Sequence, residues 1–349
     1  MEYGGAEKKG LLLSRGARKG PGRGDEKGDG LRVATLNILY DMSDWIPGVS
    51  CLTRSRRRFA ATLDLLQELG ADLIGLNECT HTFERMLKGS KLMSEYHVFH
   101  PKNLRPMGNI LLSRYPFEST FVLKLPGLRR DPVCGVVRTM SGTRVLAVSA
   151  HLSALTSGAA RRELQLRTLI SKCCARLRSV TKSASVDALI VMGDLNFHLP
   201  EEDTQLRDLH QFGKIKSSPQ DPPGHHNNSE TSLLESCVDL WEALRPTEKG
   251  FTYDPTRNRF IKVLRFWENR QMRLDRILLF NVKNGHHSHS DTNDDPRLGM
   301  KMKHIKSQKL SRRVEPKDIR MLADLPLRKG IGCLPLFCSD HFGLVASLD

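Results

Sequence analysis

Asp187-Ala188-Leu189-Ile190-Val191-Met192-Gly193-Asp194-Leu195-Asn196 decides how this chain is read. Ala188 to Met192 is apolar and partly β-branched, which predicts a buried strand that stops at Gly193. Asp194 and Asn196 follow two apart, so in extended geometry they point the same way. A strand ending in this manner brings a carboxylate and an amide to the edge of a sheet, where they can hold a metal ion and a water.

The same grammar extends outward in both directions. Arg32 to Ile38 reads as a strand that closes on Asn37. Arg54 to Leu69 predicts an amphipathic helix with Phe59, Leu63 and Leu66 on one stripe, stopped by Gly70. Asp72 to Glu78 is a second buried strand with a carboxylate at its end. Met107 to Ser113 is a third, closed by Tyr115-Pro116. Val133 to Met140 and Thr143 to Ser149 predict a hairpin around Ser141-Gly142, and its second strand runs on to His151. Ala159 to Leu177 predicts a helix, and Val238 to Leu244 a short one. Thr252-Tyr253-Asp254 and Arg273 to Leu279 return to strands, the latter holding Asp275. Ser339-Asp340-His341 then precedes a closing strand over Phe342 to Leu348. Strand–helix–strand alternation of this kind argues an α/β architecture.

Composition sets the outer bounds. The chain has 349 residues, 39% of them apolar, which is ample for one large core. Lys and Arg number 54 against 39 Asp and Glu, a net charge of +15 that favours a polyanionic partner. The eight cysteines form no Cys-x-x-Cys pair and sit mostly in apolar surroundings, as reduced core residues do. No run reaches the length of a membrane-spanning helix, and Leu11 to Leu13 is too short for a secretory signal. Residues 1–30 are expected to be a disordered Gly-rich, basic tail, with seven basic residues against five acidic. Polar insertions are expected at about 213–232 and 281–329. The first includes His225 and His226, and the second includes His286, His287 and His289. Arg297 to Lys329 alone holds eleven basic residues against three acidic.

Asn37, Glu78, His151, Asp194 with Asn196, Asp275, and Asp340 with His341 all close or adjoin apolar runs. A single strand-end Asp is usually a turn residue; a set of such placements argues one shared site. Few hard oxygen ligands among amides and histidines suit Mg²⁺, which binds through one or two carboxylates and keeps its waters. A zinc site would call for tight His and Cys spacing, and a two-metal site for more carboxylates.

Thr35-Leu36-Asn37, Leu76-Asn77-Glu78, Ala150-His151-Leu152, Gly193-Asp194-Leu195-Asn196, Arg273-Leu274-Asp275-Arg276 and Ser339-Asp340-His341 occur in the order of the endonuclease/exonuclease/phosphatase superfamily. Over about residues 31–349 the chain resembles that superfamily. Within it the sequence is most similar to 5′-tyrosyl-DNA phosphodiesterases, through Gly158-Ala159-Ala160-Arg161, Asp239-Leu240-Trp241-Glu242, Thr252-Tyr253-Asp254 with Asn258, and Ser339 to Leu344. The chain departs from that group at Leu36, where a Trp is usual, and at Asn77, where a Gln is usual. It departs again at His198, where an Arg is usual.

The resemblance implies a DNase I-like fold, a four-layer α/β sandwich of two mixed β-sheets flanked by helices. It implies a Mg²⁺-dependent phosphodiesterase, with Mn²⁺ as a substitute, acting on nucleic acid. DNA with a 5′ adduct is the expected partner, and an intracellular, nuclear setting is the expected location. Glu78 and Asn37 would hold the metal, and Asp194 with Asn196 would manage the attacking water. His151 and His341 would donate to the phosphoryl oxygens, with Asp275 and Asp340 orienting them. Tyr253, Asn258 and His198 would contact substrate. Arg257, Arg259, Lys262, Arg265, Arg270 and Arg273 form a basic run that could track a nucleic-acid backbone. Rival readings are an abasic endonuclease, an RNA deadenylase, a sphingomyelinase-type phosphodiesterase, or a non-enzymatic nucleic-acid-binding protein on the same fold.

Overall fold

The computed structural model describes residues 11–13, 30–41, 53–104, 106–180, 185–206, 209, 211, 233–283, 313–327 and 336–349. Two β-sheets lie face to face. The first has seven strands in the spatial order β1 (Leu11–Leu13), β4 (His97–His100), β5 (Gly108–Ser113), β3 (Leu73–Cys79), β2 (Leu31–Asn37), β13 (Gly343–Leu348) and β12 (Pro316–Leu322). The second has six: β10 (Val238–Asp239), β11 (Asp275–Asn281), β9 (Ala188–Asp194), β8 (Arg144–His151), β7 (Val133–Arg138) and β6 (Phe117–Val122). The α-helices are α1 (Ser55–Leu69), α2 (His81–Lys88), α3 (Leu92–Glu95), α4 (Ala159–Val180), α5 (Glu201–Thr204), α6 (Leu240–Leu244) and α7 (Phe260–Leu264).

Each sheet contains one parallel pair, β2 with β3 and β8 with β9. Parallel neighbours need a crossover, and α1 and α4 supply it, one for each sheet. The two halves are therefore built alike, each with a strand–helix–strand unit at its centre. Because the parallel strands run the same way, the polar residues that end them emerge side by side.

Three apolar layers result. Between the sheets pack Val33, Leu73 and Leu111 from the first with Val145, Ile190 and Ile277 from the second. Gly75 lets the sheets approach there; a Cβ on it would lie 2.7 Å from the Met192 side chain. Phe59, Leu63 and Leu66 of α1 and Phe83 of α2 cover the outer face of the first sheet. Leu166, Leu169, Ile170 and Cys173 of α4 cover the outer face of the second. Helix, sheet, sheet, helix is the four-layer sandwich expected. Cys79, Cys134, Cys173, Cys174 and Cys338 are buried free thiols.

The sequence reading is altered in four places. Val238–Asp239, expected to open a helix, instead pairs antiparallel with β11 before the helix starts at Leu240. The window 281–329 is not all insertion: Pro316–Leu322 is an edge strand paired antiparallel with β13. Its exposed Lys317, Asp318 and Arg320 are the charges an edge strand carries against further pairing. Leu11–Leu13, expected within a disordered tail, pairs antiparallel with β4. Tyr253 belongs to an isolated bridge with Met272 and not to a strand. The expected insertion at 213–232 and the paired histidines near 225 and 286 lie outside the described residues.

Candidate active site

Register brings the site together. In the second sheet His151 of β8 is the partner of Asp194 of β9, and Asp194 is the partner of Asp275 of β11. These three residues form one row across the strand ends. In the first sheet Asn37 ends β2 beside Asn77 of β3, and Glu78 comes next. The sheets face each other, so the two rows converge. Asp340 and His341 arrive from the loop that enters β13.

Backbone strain marks the same points. Glu78 has φ +59° and Asn196 φ +55°, both in the left-handed region that few L-residues adopt. Gly193 has φ +141°, and a Cβ there would lie 1.9 Å from the Ala150 carbonyl oxygen. Only glycine lets β9 approach β8 closely enough to set Asp194 beside His151.

Glu78, His151 and Asp194 each offer a ligand atom within 4.8 Å of the others. His151 Nε2 is 3.4 Å from Asp194 Oδ2. Asn37 Nδ2 donates to Glu78 Oε1 at 3.1 Å and to Asp194 Oδ2 at 3.0 Å, bridging the two carboxylates. Its Oδ1 accepts from the Leu39 amide at 3.0 Å. In this arrangement the Asn37 oxygen accepts from the backbone and keeps its second lone pair, while its amide group aligns the two acids. The backbone N–H of Tyr40 donates to Glu78 Oε2 at 3.1 Å, and that of Asn196 to Asp194 Oδ1 at 2.9 Å.

His341 sits opposite. Its Nδ1 is 2.8 Å from Asp275 Oδ2, and its Nε2 is 3.9 Å from Asp194 Oδ2. The Ser339 hydroxyl accepts from the His341 amide at 3.1 Å. Burial works against charge on this imidazole, but Asp275 and Asp194 outweigh it and hold its pKa well above the ordinary value. His151 is the reverse case. Burial first, then Arg130 and His341, push its pKa well below the ordinary value, so it is neutral. Its Nδ1 is buried without a hydrogen-bond partner. Burial also raises the Asp194 carboxyl, to about 7, with Asp275 and Glu78 adding and with His341 and Asn37 opposing. Glu78 is raised by burial and by Asp340.

A divalent cation fits this arrangement. Asp194 is buried and Glu78 partly so; the two lie close together and accept from neighbouring donors, and both carry raised pKa values that a cation between them would relieve. The donor set of two carboxylates and one imidazole suits a divalent cation.

Of the expected substrate contacts, Tyr253 is 2% exposed, packed with Ile261, Met272 and Leu274. Its ring meets that of His341 edge-on at 5.4 Å. It therefore steadies the histidine and presents no open face. Asn258 is 1% exposed; its Nδ2 donates to the Ser339 carbonyl at 2.9 Å and its Oδ1 accepts from the Phe260 amide. It clips the 339–341 loop in place, a structural role and not a substrate contact. His198 is half-buried, with both ring nitrogens lacking partners. Burial, Arg162 and Arg270 lower its pKa to about 4.

The basic run is divided. Arg273 pairs with Asp239 at 2.8 Å and with Glu242 at 2.5 Å, and Arg257 pairs with Asp324 and lies over the Phe342 ring. Arg265 faces the site: burial opposes its charge, but Asp340, Tyr253 and Glu78 outweigh this and raise its pKa.

Several supports carry no sequence signal as site residues. Asn77 Oδ1 accepts from the Asp194 amide at 2.9 Å, while its Nδ2 donates to Asn109 Oδ1 and to the Ala150 carbonyl. Arg58, fully buried in α1, donates to the carbonyls of Ile38, Leu39, Thr53 and Cys338. Arg162 of α4 pairs with Glu202 at 2.7 Å and donates to the carbonyls of Ser153 and Leu155. Glu202 in turn accepts from the amides of His198 and Leu199, so this pair joins the loops after β8 and β9.

The layers and the converging rows of polar strand ends define a protein of the DNase I-like class. The chain belongs to the endonuclease/exonuclease/phosphatase family, which residues 34–341 match. Its members are hydrolases of phosphoester bonds. No curated protein sequence matches the chain. Among solved structures, D. rerio TDP2 complexed with a single-strand DNA product is similar at 17% identity, with 92% of this chain and 100% of that one covered and a TM-score of 0.58. Truncated Caenorhabditis elegans TDP2 is 18% identical over 91% and 97% of the two chains, with a TM-score of 0.56. A mannosyl-6-phosphatase of Bacteroides thetaiotaomicron is 13% identical over 91% and 99%, with a TM-score of 0.53. At these identities the likeness establishes the shared fold. Among the described residues no helix is long and apolar enough to cross a membrane.

Proposed function

We propose that this chain hydrolyses phosphodiester bonds in nucleic acid with a divalent metal, Mg²⁺ or Mn²⁺, and that it removes tyrosyl adducts from DNA 5′ ends in repair. The observation that carries the reading is the cluster of Glu78, His151 and Asp194 with the His341–Asp275 pair opposite. The likeness to TDP2 structures, one of them holding single-strand DNA product, supports the choice of substrate. The net charge of +15 supports a polyanionic one.

Glu78 and Asp194 would hold the metal, with His151 beside them. The bound ion would polarise a non-bridging oxygen and stabilise the leaving oxygen. Asp194 would orient the attacking water and take its proton. Asn196 is fixed by its Nδ2 bond to the Leu152 carbonyl at 3.2 Å and positions the water. His341, kept charged by Asp275, directs its Nε2–H at the phosphoryl oxygen on which charge builds. Neutral His151 donates from one ring nitrogen on the other side. Asp340 and Asn37 orient these groups.

The test is an oligonucleotide bearing a 5′-phosphotyrosine, assayed with Mg²⁺. Release of tyrosine with a 5′-phosphate left on the DNA is expected, and Asp194→Asn should reduce it by about 10³-fold or more. A protein that leaves this substrate intact but cleaves abasic DNA, poly(A), sphingomyelin or a sugar phosphate refutes the tyrosyl assignment. One that cleaves none of them refutes the catalytic reading.

A further inference from the structure

Phe266 and Trp267 stand where no core needs them. They are 78% and 65% exposed, and among the described residues no other Phe or Trp reaches this exposure. Their rings meet edge-to-face, 4.8 Å apart at 85°. Leaving two large aromatic faces in water forgoes several kcal/mol of burial, of the order of 2 kcal/mol for each ring.

The turn that presents them is firmly built. Glu268 is 6% exposed and accepts from the amides of Asn269 and Arg270 and from the Arg270 guanidinium. Lys262 of α7 donates to the Glu268 carbonyl at 2.5 Å and to Asn269. Both ends of the turn face the site. Arg265 lies within electrostatic reach of Asp340 and Glu78. Arg270 donates to Thr156 at 3.1 Å and borders His198. Arg259 and Lys262 with Pro255, Thr256 and Val263 line a cleft of about 520 Å³.

We infer that Phe266 and Trp267 form a stacking ledge for the bases of single-stranded nucleic acid as it enters the catalytic cluster, with Arg265, Arg270 and the Arg259 cleft taking its phosphates. This rests on the function proposed above and adds to it the form of the substrate. The chemistry favours that ligand over others. Aromatic faces accept any base, and the guanidinium groups of Arg265 and Arg270 flank the pair along one turn, where they can meet the phosphates of an unpaired strand. A duplex keeps its base faces covered and would not gain from the ledge. A bilayer would also accept the two aromatics, so vesicles form the competing arm of the test.

The experiment reads Trp267 fluorescence in EDTA while a thymidine oligonucleotide of about eight nucleotides is titrated. Quenching is expected in the wild-type chain. Trp267→Ala should abolish the quenching and, with Phe266→Ala, weaken oligonucleotide affinity by about tenfold, measured by anisotropy of a labelled strand. Trp267→Phe should keep the affinity. A matching rise in KM for the oligonucleotide substrate is expected. The ledge is refuted if the alanine variants bind the strand as tightly as wild type. It is equally refuted if duplex DNA quenches as strongly, or if phosphatidylcholine–phosphatidylserine vesicles shift the emission and the oligonucleotide does not. Quenching and its loss in Trp267→Ala, with no cleavage of any nucleic acid, would leave the ledge standing and remove the proposed reaction.

Discussion

His341 and His151 approach the same carboxylate, yet their pKa values are pushed in opposite directions. The difference comes from their neighbours. Asp275 lies 2.8 Å from His341, whereas His151 has Arg130 nearby and an unpartnered Nδ1. Asp275→Asn should therefore lower the His341 pKa and move the alkaline limb of the pH–rate profile to lower pH, with kcat falling by about 10²-fold or more. The sign for stability follows. A folded-state pKa raised above the unfolded value adds stability that is complete below about 6.5 and is lost as pH rises through the folded value. Thermal melts of wild type and Asp275→Asn across that window should converge on the alkaline side. The acids and histidines of the site were legible in the sequence because each closes an apolar run. Tyr253 and Asn258 were not resolved by sequence, because a polar residue near a motif looks the same whether it meets substrate or clips a loop. Arg58 was invisible: a cation on an amphipathic helix reads as solvated, and only the carbonyls arrayed around it show otherwise.

At the scale of the element, β9 and its following loop set the site. Gly193→Ala would force a Cβ into the Ala150 carbonyl, so β9 must leave its register with β8. We expect a loss of more than about 3 kcal/mol in urea melts, with activity lost in whatever protein folds. The buried Arg162–Glu202 pair holds the loops after β8 and β9 together. Arg162→Leu leaves the Glu202 charge uncompensated and should cost about 3–5 kcal/mol in the same measurement. His198 gives a pH signature on the acid side. Its pKa falls to about 4 in the folded chain, so stability is complete above about 6.5 and declines as pH falls toward 4. Melts of His198→Gln over that range should show a shallower decline. The long apolar strands and the crossovers α1 and α4 were legible from periodicity. Strands β4 and β6 were not, being short, polar and close to turns. Strand β12 was hidden by its own charge, which suits an edge and reads as an insertion.

For the whole molecule, a divalent cation bound by Glu78 and Asp194 would add its binding energy to stability. Mg²⁺ or Mn²⁺ at about 100 times its dissociation constant should raise stability by about 2.7 kcal/mol, seen as a shift in melting temperature. Glu78→Ala should abolish the shift, and an unaltered shift in that variant would place the ion elsewhere. The four-layer architecture followed from the strand–helix–strand order and the family resemblance. The convergence of the two rows of strand ends depended on register between residues far apart, which no local pattern encodes.

Strand β13 lies between β2 and β12, and Arg58 ties the carbonyls of Ile38 and Leu39 to that of Cys338. A ribosome has to reach the last strand before β2, laid down some three hundred residues earlier, gains its second neighbour. His341 arrives with that strand. The candidate site is consequently incomplete until β13 is made, and a shorter chain holding Glu78, His151 and Asp194 lacks the His341–Asp275 pair that stands opposite them. Under the function proposed above, assembly in this order withholds the reaction until β13 is in place.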